Sequence, residues 1–212
     1  MPLINDRDLL LLEPDLFSDA MALATLLIDV ADGSVDGTSL TSTDADFEAM
    51  DIDAGHAVLI DQVPAEIIER ISATEVTVSL PRVAGDDPLI APAPGSDLSV
   101  RVPTFGRQIS LCQGWVLGTL GIEVDEDGGP LDASILLNAP EIGRLIALET
   151  TARLLRLAAA HDPVNESMAE LAAGYSAEVT AARQRTRAVL DLDGDGVADA
   201  TRRVSLVTLT RT

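Results

Sequence analysis

Residues 55–80 read GHAVLIDQVPAEIIERISATEVTVSL. Three runs rich in Val and Ile (Gly55–Asp61, Ala65–Ile71 and Glu75–Leu80) alternate with turn-forming residues, the pattern of consecutive short strands. Upstream, residues 31–42 (ADGSVDGTSLTS) hold two Asp-Gly turn signals, the second between β-favouring runs. Downstream, Asp97–Val102 forms another strand-like run, reached through the Pro/Gly-rich segment Ala84–Ser96, which reads as an exposed, extended loop. About five or six short strands within residues 31–103 predict a small antiparallel barrel or sandwich.

On either side the period changes to that of a helix. Asn5 or Asp6 can cap a helix over Arg7–Glu13, and Pro14 restarts one through Asp15–Leu27, with Leu16, Phe17, Met21, Leu23, Ala24 and Leu27 on its apolar face. Beyond the strands, Gln108–Leu120 is helical and stopped by Gly121. Asn138 caps a helix running to about Ala160, and Asn165 caps a last one over Ser167–Leu190. The fold class is therefore α+β: a helical body of about four to five helices, an inserted small antiparallel β-barrel or sandwich module, and a C-terminal strand. The expected divisions are residues 1–30 (N-terminal helices of the body), 31–103 (β module), 104–190 (helical body) and 191–212 (acidic turn and terminal arm).

Hydrophobic residues make up 47 % of the 212-residue chain but aromatics only 2 %, so the core is built from Ala, Leu, Val and Ile. The basic residues are all arginine; lysine does not occur. A net charge of −21 argues against a surface that grips nucleic acid or an anionic membrane. It leaves open one that avoids sticking to DNA passing nearby, and equally fits simple solubility or adaptation to a saline or high-GC host. The single cysteine, Cys112, excludes an internal disulfide and reads as a small core residue. The first residues, MPLINDRDLLLLEPD, lack the basic head of a signal peptide, and no apolar run approaches the roughly 20 residues that span a bilayer. A soluble protein made in the cytoplasm is the expectation.

The most chemically specific stretch is Asp191–Asp199, DLDGDGVAD. Carboxylates at relative positions 1, 3, 5 and 9 and a glycine at position 6 are the spacing of a calcium-binding turn. The candidate metal residues are Asp191, Asp193, Asp195, Val197 (through its carbonyl) and Asp199, with calcium as the implied ion. Position 12, the place of a bidentate glutamate, is Arg202. Arg183, Arg185 and Arg187 precede the turn, where cations complement a helix C-terminus. After it, Val204, Ser205, Leu206, Val207, Thr208 and Leu209 alternate like a strand that either closes the chain's own β module or adds to a sheet edge on a partner.

Other constellations are weaker. His56 and His161 lack ligand partners at zinc spacing, no serine sits in G-x-S-x-G, and the glycine pairs lack a phosphate-loop lysine. The run Asp44, Asp46, Glu48, Asp51, Asp53 reads as a solvated loop with Phe47 and Met50 tucked inward, the alternative being a carboxylate-dependent hydrolase. No catalytic residue is assigned.

Taken together, residues 8–17 (DLLLLEPDLF), 37–42 (GTSLTS), 54–60 (AGHAVLI) and 187–203 (RAVLDLDGDGVADATRR) resemble the head-to-tail adaptor, or neck, proteins of tailed bacteriophages and gene-transfer particles. The likeness is one of pattern spread over nearly the whole chain. It implies a structural virion protein of the neck, assembled in the host cytoplasm as a ring, commonly twelvefold, that docks on the portal protein and joins it to the tail or further neck proteins. DNA would pass its central channel without specific binding. A calcium-binding interaction module is the alternative class.

Overall fold

The β-favouring runs close into a barrel. In the computed structural model, which describes residues 2–126, 128, 130, 132–161 and 165–204, the strands are β1 (Thr25–Asp36), β2 (Ser39–Thr41), β3 (Ala57–Ile60), β4 (Val63–Ser72), β5 (Glu75–Ser79) and β6 (Gly95–Thr104). They pair antiparallel in the order β1-β2-β5-β4-β3-β6, and β6 returns to β1 to complete the cylinder. Closure leaves no free edge to template aggregation. The 12-residue β1 bends far enough to serve β6 along most of its length and β2 at its end, with register shifts around Gly33. Gly33 is required there by close approach: a Cβ would lie 2.9 Å from the Leu98 carbonyl oxygen and overlap Val100. Gly37, at φ +60°, makes the Asp-Gly turn of the β1–β2 hairpin.

The barrel is filled by β-branched and leucine side chains, among them Ile28, Leu40, Ile67, Val76, Val78 and Val100, with Phe47 as its one aromatic. Small barrels of this size are packed by side chains rather than hollow. Two short helices, α1 (Asp6–Leu12) and α2 (Leu16–Asp19), and a single 3-10 turn precede β1. Residues 5–106 form one compact unit, so α1 and α2 group with the barrel rather than with a helical body.

The contact that fixes α1 on the barrel is ionic and buried. Glu66 on β4 is 0 % exposed. One carboxylate oxygen accepts from Arg7 Nε on α1; the other accepts from Arg82 Nε at 2.6 Å and from the Arg82 amide at 3.2 Å. Arg7 also donates to the Arg82 carbonyl at 3.0 Å, and Arg82 Nη1 donates to the carbonyls of Gly85 and Asp87. One charge thus ties a helix, a barrel wall and the loop after β5 together. Beside it, Asp6 is buried and accepts from Thr104 Oγ1 at 2.6 Å and the Phe105 amide at 2.8 Å, pinning the start of α1 to the end of β6.

The second unit comprises residues 2–4 and the described residues from Arg107 onward. It holds α3 (Gly106–Thr119), α4 (Ala139–His161), α5 (Glu166–Arg185) and a strand pair, β7 (Arg187–Leu190) with β8 (Ala200–Arg203). Helices α4 and α5 pack on each other, and Ile142, Leu145, Leu154, Leu155, Ala172 and Val179 on these helices are buried. Glu149 on α4 pairs with Arg183 on α5 at 2.6 Å, and the same guanidinium stacks 4.5 Å from the Trp115 ring of α3. Cys112 is buried, as expected, and burial pushes its thiol pKa up. Among the described residues no helix is long and apolar enough to cross a membrane.

Three expectations are corrected. Residues 25–27 belong to β1, not to a helix: the Leu/Ala spacing that mimics a helical face is overridden by pairing with β6, a partner distant in sequence. The last helix stops at Arg185, and residues 187–190 leave it as β7. Asn138 does stand at the start of α4, its carbonyl accepting the Glu141 amide at 3.1 Å, but its side chain turns to β7 instead of the helix amides, accepting from the Val189 amide at 2.9 Å and donating to the Arg187 carbonyl at 2.7 Å. Asn165, by contrast, caps α5 through the Met168 amide as its position suggests.

Glu66→Gln should destabilise the barrel unit by about 3–5 kcal/mol in urea unfolding, because two guanidinium groups are left without their anion in a dry site. Burial is the largest influence on Asp6 and raises its pKa, against its hydrogen bonds to Thr104 and Phe105. A raised carboxyl favours the folded state most below its ordinary value, and that contribution is lost as pH rises through the raised one. Stability measured against pH in wild type and Asp6→Asn should therefore differ by a term that declines from acid toward neutral pH. An unchanged difference across that range would contradict it.

Candidate functional site

Residues 191–199 form the loop of the β7–β8 hairpin, so the turn joins two strands rather than a helix and a strand. Its shape follows from its aspartates and two glycines. Asp191 Oδ1 accepts the Gly194 amide and Oδ2 the Gly196 amide, both at 2.7 Å. Gly194 and Gly196 sit at φ +80° and +82°, where other residues are strained. Asp193 accepts the Asp195 amide at 3.2 Å and Asp195 the Val197 amide at 2.7 Å. Asp199 closes the loop, accepting the amides of Leu192 at 2.7 Å and Asp193 at 3.3 Å.

This winding gathers oxygens. One carboxylate oxygen from each of Asp191, Asp193 and Asp195 lies within 4.8 Å of the others, the one such group of potential metal ligands among the described residues. The Asp191 carboxyl is held below the usual carboxylate range, chiefly by the Gly196 amide, with those of Gly194, Asp195 and Asp193 adding to it. Asp191 is therefore an anion at neutral pH, the form a hard cation needs. Of the other candidate ligands, Asp199 is committed to amides, and Val197 has an exposed side chain and donates its amide within the turn. At position 12, Arg202 turns away and donates to the carbonyls of Leu120 and Gly121. Three carboxylates fit a hard cation, but the set falls short of the six to eight oxygens of a full calcium cage.

The loop is held from outside by residues 135–137. The Asp191 amide donates to the Ile135 carbonyl at 3.1 Å, the Leu137 amide donates to the Val189 carbonyl at 3.0 Å, and Leu136 bridges Leu190. Residues 135–137 thereby lie along the outer side of β7. They bring Asp132 close enough for its carboxylate to feel the charge of Asp191, although the hydroxyl and amide of Ser134 lower the Asp132 pKa overall. Nothing in the sequence around Asp132 signals this neighbourhood, which arises only when residues 135–137 pair with β7.

Of the terminal run, Val204 is 1 % exposed and outside any strand. Ser205, Leu206, Val207, Thr208 and Leu209 lie outside the described residues. The second acidic run forms a cap between β2 and β3 with Ala45, Phe47 and Ile52 buried and the acids outward. Met50 departs from expectation: it is 49 % exposed. Asp32 on β1 moors the start of this cap, accepting from the Ser42 and Thr43 hydroxyls and the amides of Thr43 and Asp44, which hold its pKa down to about 2.

Charge is divided unevenly between the units. Residues 5–106 carry 20 acids against 4 arginines, a net of −16, while the rest of the chain carries 15 against 10, a net of −5. In the barrel unit, moreover, Arg7 and Arg82 are spent on Glu66. A scan against protein-family models, a search of curated proteins and a search of solved structures each found no match.

Proposed function

We propose that the chain is a structural component of a virion neck, a head-to-tail adaptor that assembles as a homo-oligomeric ring on a portal protein and joins it to the tail. The observation that carries the reading is charge: −21 in 212 residues without lysine, with −16 on the barrel unit. Such a surface repels a passing duplex and offers no phosphate-neutralising patch on the barrel. The resemblance described above supplies the particle context. In this reading the helical unit contributes to the ring and portal contacts, and the alternating run after Val204 is the arm that adds to a neighbour's sheet edge. Mixed with cognate portal rings, the purified chain should appear in electron micrographs as added ring density at one portal face. A strict monomer that ignores portal rings would sink the reading.

The gathered oxygens of Asp191, Asp193 and Asp195 favour a second reading of the hairpin loop, as a low-affinity calcium turn that stiffens the base of the arm. Millimolar calcium should then raise the melting temperature, a chelator should restore it, and Asp193→Asn with Asp195→Asn should remove the response. An unchanged melt at millimolar calcium retires the metal.

A further inference from the structure

On the helical unit, exposed arginines lie along α4, at the end of α5 and on the β7–β8 pair. Arg144 on α4 and Arg185 on α5 line a cavity of about 500 Å³ with Glu141, Glu178 and Thr186, over a floor that includes Leu145 and Leu148. Arg187, next to Thr186, opens β7, and the register places Arg203 of β8 directly opposite it. Arg144, Arg185, Arg187 and Arg203 are all exposed. None of the four is within ion-pair distance of a carboxylate among the described residues, and Glu141 is engaged by Asn138 at 2.8 Å. Like charges directly opposite on paired strands are unfavourable. Here that repulsion is left in place although acids outnumber bases 35 to 14 in the chain.

The chain also contains a surface of complementary chemistry. The cap over residues 44–53 turns Asp44, Asp46, Glu48, Asp51 and Asp53 outward around the exposed Met50. Asp46 and Asp53 cap local amides and Asp51 lies 4.0 Å from Arg70, whereas the side chains of Asp44 and Glu48 have no cation within reach among the described residues. The cap is moored by Asp32 and by buried Phe47, so it is preorganised rather than loose.

We infer that the arginine-lined end of the helical unit receives the acidic cap of a second copy of this chain. The inference rests on the reading of the chain as a self-assembling component and names the contact that reading leaves open. Because the two surfaces differ, the contact is head-to-tail: it closes into a ring where the rotation permits and otherwise runs on as a filament. Salt acts on it in two ways. Two bodies of −21 repel each other, but at about 0.15 M ionic strength that repulsion is screened beyond about 8 Å, while charges in contact still attract. At ~1 M salt the screening length falls to ~3 Å and the contact pairs weaken too.

Sedimentation of the full chain tests this with two double variants, Arg187→Gln/Arg203→Gln and Asp44→Asn/Glu48→Gln. All four positions are exposed, and none of their side chains has a bonding partner among the described residues, so neither variant should melt below wild type, and Arg187→Gln/Arg203→Gln should melt slightly above it. Wild type should associate at about 0.15 M salt and dissociate at ~1 M. Each variant should raise the concentration of half-association about tenfold, the factor expected for losing two surface contacts. At a concentration where each variant alone is monomeric, an equimolar mixture should form dimers and stop there, since each partner keeps one working surface. Association that ignores both variants, or a mixture that stays monomeric, overturns the contact while leaving self-assembly itself standing. A wild type that is monomeric at every salt and concentration also overturns the contact; docking to portal rings then decides the adaptor reading independently.

Discussion

The barrel unit depends on a carboxylate that water cannot reach. Glu66 would be costly alone, since removing an ion from water costs several kcal/mol even after relaxation. It is tolerated because Arg7 and Arg82 supply hydrogen bonds to both of its oxygens. The arginines come from a helix before the barrel and a loop after β5, so neutralising this charge requires both segments to be in place. The triad thereby joins α1, β4 and the loop after β5, although a buried ion pair adds little net stability over an apolar packing of the same volume. Asp6 extends the same device by holding the first turn of α1 to the end of β6.

Consuming arginines internally has a consequence outside. With Arg7 and Arg82 committed to Glu66, and Arg70 reaching the carbonyls of Phe47 and Ile52, the barrel unit's acids face solvent largely uncompensated. The helical unit keeps exposed arginines at the open end of the β7–β8 hairpin, while the loop at the other end gathers aspartates. Charge is thus sorted by position within a chain whose total is −21.

Much of the architecture could be read from local pattern. The β-branched runs of β3, β4 and β5 and the Asp-Gly turn at Gly37 lie where their residues place them, because strand preference, alternation and turn chemistry agree there. The stop at Gly121 and the cap at Asn165 are legible for the same reason. Residues 25–30 and 187–190 are not, since each sits next to a helix and becomes strand only by pairing, the first with distant β6 and the second with β8 across the hairpin loop. Met50 is as hydrophobic as its neighbours, yet the cap buries Phe47 and Ile52 and leaves Met50 outside. At the candidate site, the aspartate spacing and the glycines were legible. The neighbouring Asp132 and the departure of Arg202 toward the carbonyls of Leu120 and Gly121 were not.

The sequence by itself determined the two periodicities, the acidity, the absence of lysine and the curl of residues 191–199, because these depend on composition or on neighbours within a few positions. Tertiary structure alone decided that the β runs close into a cylinder, that Glu66 is shared by two arginines, and that Arg187 faces Arg203. Those outcomes turn on which distant groups meet, and a buried charge or a strand edge is satisfied by whichever partner the whole fold delivers, not by the residues beside it in the chain.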